Sequence, residues 1–329
     1  MKEIVTAFGY PFFVRSAIPG LVLLLVLWPL VGGTFQASLT VAGASPFELS
    51  VAFFLVAILL GWLVSLLDYP IYVFFEGRRG WPIRLRTMLE NRLKRRVRKL
   101  LSESKLDRKV HEREVREAFF QLRMFYLAAP GKFEVQAPTR LGNVIRAYEG
   151  YSLTRYGMDP VFYWYRLRYV LSKDVREDLD TSAAEAAAMV YLCTVLGVSA
   201  MAYISIALAS AECRPLVAFT TEVLRAVLHL PDFSQAFASA LAPILVPLPP
   251  ALTSLLYGLF GTLLMLLAYG AYRAAIPLHR RYGELFKASF DIGRRDLMSK
   301  LGLQFGTVNE KEQWDALFKR LQYLSAKRD

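Results

Sequence analysis

The stretch ELSVAFFLVAILLGWLVSLLDYPIYVFF, residues Glu48–Phe75, decides the fold of this chain. It exceeds the ~20 helical residues that cross a hydrocarbon core of about 30 Å. Three more apolar stretches have a similar composition, at Ala17–Gly33, Ala183–Ser210 and Ala251–Ile276. Only helices and closed barrels satisfy their backbone groups in lipid. The sequence therefore predicts an all-α, polytopic membrane protein with four transmembrane helices and a helical cytosolic domain.

Basic residues are distributed unevenly and predict the orientation of the chain. The net charge is +12, from 40 Lys/Arg and 28 Asp/Glu. Residues 78–182 carry 24 Lys/Arg against 13 Asp/Glu, whereas the loop Thr34–Phe47 has no basic residue. Positive loops stay on the cytoplasmic side of inserted helices. We expect both termini and the basic domain in the cytoplasm, and loops 34–47 and 211–250 outside.

Four parts follow from this pattern. Residues 1–77 form a lead-in and transmembrane helices 1–2, and residues 78–182 form a basic helical cytosolic domain. Residues 183–276 hold helices 3–4 with the outer loop 211–250, and residues 277–329 form a cytosolic helical tail. The first apolar stretch, which also has the length of an export signal, is interpreted as a retained span. The helix after Ser172 is expected to run unbroken into the third span.

Helix signals also recur in the polar parts of the chain. We expect helices over 84–101, 106–128, 141–149 and 314–324, with a turn at Tyr156-Gly157. Asp159-Pro160 is typical of a helix start, since Asp caps free N–H groups and Pro fits the first helical position.

The helix over 84–101 carries eight basic residues and one acidic residue, Glu90. A lipid-facing role is favoured because the helix follows a predicted span, and clustered cations bind anionic headgroups. Binding to nucleic acid or to a protein partner remains open. The residues expected to face lipid are Arg84, Arg92, Arg95, Arg96 and Lys99.

The segment Leu141–Leu171 interleaves arginines with tyrosines and a tryptophan. Aromatic faces stack on bases, and the guanidinium fork matches phosphate geometry. Packing of a helical domain against headgroups explains the same composition. The candidate ligand-binding residues are Arg146, Arg155, Arg166, Arg168 and Tyr165.

Two carboxylates stand at predicted inner ends of spans, Asp68 in the second and Glu185 in the third. Carboxylates at membrane depth face a pore, a partner or water, so both are candidates for the inner mouth of a pore. Pairing of Asp68 with a nearby arginine such as Arg78 is the alternative.

Small residues recur in the last two spans, among them Gly197, Ser199, Gly258 and Gly261. Such residues permit close helix association in lipid, and we expect a homo-oligomer. The sequence shows no nucleophile–base set, phosphate loop or metal-ligand spacing among its three histidines and two cysteines. No enzymatic activity, cofactor or metal is expected.

The stretch GNVIRAYEGYSLTRYGMDPVFYWYRLRYVL, residues Gly142–Leu171, resembles an uncharacterised family of bacterial four-span membrane proteins. The second span, LLGWLVSLLDYPIYVFFEG, is similar to theirs, with Gly61 and Ser65 in the pattern. By architecture, the plan is similar to the membrane pore effectors of bacterial anti-phage signalling systems. The resemblance implies a multi-pass protein of the bacterial inner membrane.

Two functions follow as hypotheses. The first is an oligomeric channel or pore-forming effector that is gated through its cytosolic domain by a nucleotide or oligonucleotide signal or a signalling partner. The second is a membrane anchor that recruits a cytosolic partner and conducts nothing. Anionic lipid is an expected partner of both.

Overall fold

A computed structural model describes residues 9–28, 46–106, 111–129, 132–209, 250–303 and 309–326. The predicted outer loops fall largely outside the described residues, from 34 to 45 and from 211 to 249. The described part of the chain is helical, with one short hairpin. The all-α prediction is therefore confirmed.

The helices are numbered in chain order. They are α1 Tyr10–Trp28, α2 Pro46–Leu66, α3 Asp68–Phe75, α4 Ile83–Glu103, α5 Glu112–Phe125, α6 Arg140–Glu149, α7 Tyr151–Tyr156, α8 Pro160–Val170, α9 Lys173–Ala209, α10 Pro250–Lys300 and α11 Glu310–Ala326. The hairpin pairs β1, Leu127–Ala129, with β2, Lys132–Phe133, in antiparallel fashion. The helix predicted over 106–128 is shorter at both ends, and its last two residues belong to β1.

Among the described residues, three helices are long and apolar enough to cross a membrane, namely α1, α9 and α10. These helices fit a membrane protein. A fourth candidate is α2 with α3, but this pair is bent by 59° at Leu67. Pro70 accounts for the bend, because it lacks the N–H group that would donate a helical hydrogen bond to the Leu66 carbonyl. The second apolar stretch is thus a broken helix, not the straight span that its composition indicates.

The helix expected after Ser172 is α9, which runs for 37 residues without a break. The structure also confirms the predicted turn at Tyr156-Gly157 and the predicted start of α8 at Asp159-Pro160. Gly157 ends α7 in the left-handed conformation at φ 75°. The Asp159 side chain caps α8 by accepting a hydrogen bond from the Phe162 N–H at 3.0 Å.

The chain divides into two compact units. The first contains Met1–Ile71 and Ala187–Ala274, and the second contains Tyr72–Ala186 and Ala275–Asp329. Both α9 and α10 contribute residues to each unit.

In the first unit, α1 and α2 approach each other backbone to backbone. A Cβ atom at Gly61 would lie 1.7 Å from the Ser16 carbonyl oxygen, and one at Gly20 would lie 1.9 Å from the Ala57 carbonyl oxygen. Small residues therefore set the spacing of these two helices within one chain.

The same unit contains a second close approach, between α9 and α10. Gly261 of α10 lies against Ala200 and Ile204 of α9. At Gly197 of α9, by contrast, a Cβ atom would have no neighbour within 4 Å in the single chain, and its predicted role in association between subunits stays a prediction.

Large apolar side chains are exposed on the helices of the first unit, which fits a membrane protein. Large side chains of α2, α9 and α10 are more than half exposed in the single chain. They include Leu55, Leu59, Met201, Leu208, Leu259 and Leu266.

In the second unit, the C-terminal half of α10 packs against α6 and α8. Gly283 contacts the Tyr148 ring, and Gly293 contacts Leu167 and Leu171. The Trp164 ring lies 4.6 Å from that of Phe286.

Other helices of the second unit pack through two further contacts. Helix α11 docks through Trp314, which is fully buried and whose carbonyl accepts a hydrogen bond from the Tyr163 hydroxyl at 2.9 Å. Helices α4 and α5 enclose a separate cluster of Val97, Leu100, Ala118, Leu122 and Tyr126.

Substitution of Gly61 by Ala is expected to destabilise the protein by about 2 kcal/mol, because the added methyl group overlaps the Ser16 carbonyl and forces α1 and α2 apart. Thermal unfolding in detergent micelles measures the effect. Gly270→Ala is the matched control, since no atom lies within 4 Å of a Cβ at that position. Equal melting temperatures for the two variants would contradict the role of the glycine contact.

Candidate functional site

The first unit contains a network of an arginine, an aspartate and a tyrosine among mostly apolar helices. Arg15 Nη2 lies 3.3 Å from Asp68 Oδ2, and both side chains are 42% exposed in the single chain. The Tyr191 hydroxyl donates to Asp68 Oδ1 at 2.5 Å and accepts hydrogen bonds from Arg15 at 3.0 and 3.2 Å. The three residues come from α1, α3 and α9.

Local backbone features place these groups. Arg15 lies in a π-helical turn, Phe13–Ala17, within α1. Such turns are rare and often occur at functional sites. Asp68 is the first residue of α3, where the unpaired N–H groups of the helix favour a negative charge. The bend at Leu67 thus starts a new helix at the carboxylate.

Arg78, the predicted alternative partner of Asp68, is bound elsewhere. It forms ion pairs with Glu76 at 2.5 Å and with Glu149 at 3.1 Å. The predicted pairing of Asp68 with an arginine is confirmed, but Arg78 was the wrong partner, because proximity along the chain to Asp68 does not reveal Arg15, which is 53 positions away.

The other inner-mouth candidate, Glu185, belongs to the second unit. It pairs with Arg281 at 3.3 Å. The pore-mouth role of Asp68 and Glu185 stays a prediction.

The predicted ligand-binding arginines each have a partner within the chain. The Arg146 guanidinium donates to the Gln136 carbonyl. Arg155 Nε donates to the Tyr156 hydroxyl at 3.0 Å.

The two arginines of α8 are likewise engaged. The Arg166 guanidinium lies 3.8 Å from the centre of the Phe162 ring. Arg168 forms a two-pronged pair with Asp180, each oxygen at 2.8 Å. Tyr165 is exposed. Each of the four arginines is thus engaged by a different partner, and their ligand-binding role stays a prediction.

Two carboxylates share Arg78 where the chain leaves α3, one buried (Glu76) and one half-exposed (Glu149). Glu76 is 5% exposed and ion-paired to Arg78, which also reaches Glu149. Burial raises the pKa of Glu76, while the charges of Arg78 and Arg146 oppose the shift. Burial also raises the pKa of Glu149, and the charge of Glu76 raises it further.

Close backbone contacts hold this cluster in place. A Cβ at Gly77 would lie 2.2 Å from the Pro138 ring, and one at Gly142 would lie 2.5 Å from the Glu76 carbonyl oxygen. The Thr139 hydroxyl donates to the Phe75 carbonyl at 2.7 Å and accepts from the Gly142 N–H at 2.9 Å. The end of α3 and the start of α6 are therefore packed directly against each other.

Sequence reasoning missed Asp291, which organises a second network. Its carboxylate accepts hydrogen bonds from the hydroxyls of Tyr151 at 2.9 Å and Tyr156 at 2.5 Å. The Arg294 guanidinium lies 4.1 Å from the Tyr156 ring centre and pairs with Glu310 at 3.1 Å. Tyr151 and Asp291 are 140 positions apart in the chain, so no local pattern indicates their contact.

The five residues predicted to face lipid on α4 are all exposed, and at 3.6 residues per turn they share one side of the helix. Arg96 donates to Gln121 of α5 at 2.9 Å, and Lys99 pairs with Glu103 at 3.6 Å. The lipid-facing role itself stays a prediction.

The contribution of Glu76 to stability is expected to fall as the pH rises from about 4.5 toward neutrality, because the folded protein holds the Glu76 proton more tightly than the unfolded chain does. The stabilisation from the Glu76 proton is complete below the pKa of this carboxyl in the unfolded chain. It disappears as the pH rises through the higher pKa of Glu76 in the folded protein. Chemical unfolding followed at several pH values measures this slope, and Glu76→Gln is expected to flatten it. Glu312→Gln, an exposed carboxylate of α11, is the control. An unchanged slope in Glu76→Gln would contradict the assignment.

No family model, curated protein or solved structure matches this chain. The family resemblance drawn from Gly142–Leu171 therefore stays a prediction.

Proposed function

We propose that the protein is the subunit of a homo-oligomeric membrane channel or pore-forming effector. The observation that carries the proposal is the network of Arg15, Asp68 and Tyr191. A charge pair that is 42% exposed on an apolar helical unit needs water or another subunit against it. In an oligomer, repeated Asp68–Arg15 pairs would line the inner mouth of a hydrated path. Glu185 is the second candidate for that mouth.

The proposed topology has four spans, with the bent pair α2–α3 counted as one. Both termini and the basic helical domain lie in the cytoplasm of a bacterial cell, and the membrane is the inner membrane. Charge supports this orientation, since 24 of the 40 basic residues fall within 78–182.

The proposed gate is operated from the cytosolic domain. Because α9 and α10 are continuous helices that contribute to both units, a change in the second unit has a covalent route to the first. The trigger is a nucleotide or oligonucleotide signal, or a signalling partner, as in bacterial anti-phage defence. The arginines of Leu141–Leu171 are the candidate phosphate contacts.

One observation favours the alternative, a membrane anchor that recruits a cytosolic partner without conducting. The candidate arginines are already bound within the chain, most firmly Arg168 by Asp180. A phosphate would have to displace these partners before it could bind.

Removal of the Asp68 charge is expected to change ion selectivity. Asp68→Asn keeps an acceptor for the Tyr191 hydroxyl but leaves Arg15 as an unbalanced cation, so cation preference falls and the reversal potential shifts toward that of anions. The measurement is planar-bilayer recording of the purified protein under an ion gradient, with cyclic and linear oligonucleotides added as triggers. Asp296→Asn, an exposed carboxylate of α10, is the control and should leave selectivity unchanged.

The outcomes separate the two functions. A selectivity change confined to Asp68→Asn supports the pore. Absence of conductance under every trigger, with cellular toxicity and partner binding intact in Asp68→Asn, supports the anchor and rejects the channel.

The four-span topology predicts which reporter fusions are active. Green fluorescent protein fused after Asp329 should fluoresce, because it folds only in the cytoplasm, and alkaline phosphatase fused after residue 230 should be active outside. A fluorescent fusion at residue 230 would place that loop inside and overturn the four-span arrangement.

A further inference from the structure

One face of α4 carries four arginines, Arg84, Arg92, Arg95 and Arg98. The side of the helix opposite them holds the buried residues Leu93, Val97 and Leu100, and the last two pack in a cluster with residues of α5. At 3.6 residues per turn, the four arginines follow one another along the exposed side over about 21 Å. We call this set the arginine face.

The arginine face has no counter-charge. Within the described parts of the chain, none of its four guanidinium groups has a hydrogen bond or ion pair. The two carboxylates of α4 are committed to other cations, Glu90 to Arg86 at 2.9 Å and Glu103 to Lys99 at 3.6 Å. The four guanidinium groups thus form a cationic surface that no carboxylate of the described residues neutralises.

Apolar side chains accompany the arginines at the start of α4. Ile83 is 83% exposed and Met88 is 56% exposed, and Leu85 between them is exposed as well. Met88 falls on the same side of the helix as Arg84 and Arg95 by helical spacing. Cations flanking exposed apolar groups are the composition of helices that lie in a membrane interface.

A fixed contact keeps the start of α4 close to the end of α3. Trp81 Nε1 donates to the Phe74 carbonyl at 2.8 Å, and the Trp81 ring lies 5.3 Å from the Phe74 ring. Phe74 belongs to the second half of the bent candidate span. The connection between α3 and α4 therefore folds back on α3, and α4 begins beside it.

We propose that the arginine face docks on an anionic bilayer surface, with Met88 inserted among the headgroups. Nucleic acid would neutralise the arginines but would leave the apolar side chains in water. Lipid docking is independent of conduction, because a pore subunit and a non-conducting anchor would use this face alike.

The test uses the full chain in lipid nanodiscs, with a nitroxide label at Met88→Cys and with Cys193 and Cys213 replaced by Ala. Collision rates with oxygen and with a water-soluble nickel chelate report whether the label is in lipid or in water. In discs that contain phosphatidylglycerol, the oxygen-to-nickel ratio should rise about twofold or more over discs of phosphatidylcholine alone. Salt at about 0.5 M should abolish the difference, because it screens the attraction.

A charge-matched pair of variants isolates the face. Gln at all four positions of the arginine face should abolish the rise in the ratio. Gln at Arg116, Lys173, Lys300 and Lys319, which removes the same charge from exposed positions elsewhere, should preserve it. Should the first variant fail to fold, the salt dependence of the unsubstituted face still decides.

Equal ratios in the two kinds of disc would overturn the proposal. Protection of the label by a single-stranded oligonucleotide in phosphatidylcholine discs, without any effect of phosphatidylglycerol, would also overturn it and assign the face to nucleic acid.

Discussion

Backbone contact between α1 and α2 is the constraint on which the candidate site depends. At Gly20 and Gly61 the helices are so close that even one methyl group would overlap a carbonyl oxygen. Arg15 precedes Ser16, which touches Gly61, and Asp68 follows Gly61 by two turns. The glycine contact thus brings the Arg15 cation within 3.3 Å of the Asp68 anion. In a membrane, either charge alone would be costly.

Aromatic and guanidinium groups hold much of the second unit together. Arg155 and Arg166 lie over tyrosine or phenylalanine rings, and Arg294 lies over Tyr156. A planar, weakly hydrated cation packs against a ring as well as it binds a phosphate. The same sequence pattern is therefore typical of a folded core and of a ligand site. The contacts favour the core for these residues, whereas the arginine face of α4 is left open.

Local signals predicted much of the fold correctly. Asp159-Pro160 predicted the start of α8, Gly157 the end of α7, and the polar-to-apolar run after Ser172 the unbroken α9. Each depends on neighbouring residues alone. The bend before Asp68 was missed, although Pro70 indicated it. An apolar run predicts that a segment avoids water, but it does not predict whether the helix axis is straight. The partner of Asp68 was missed because ion pairs between helices have no fixed spacing in the chain.

The sequence by itself determined the helical class, the candidate membrane segments and the excess of cations between them, since composition and periodicity are local properties. Only the tertiary structure decided which arginines are neutralised. It pairs Arg15 with Asp68 and Arg168 with Asp180, and it leaves the arginine face of α4 open. Charge pairing depends on which helix faces meet, and those faces are brought together by packing between segments that are far apart in the chain.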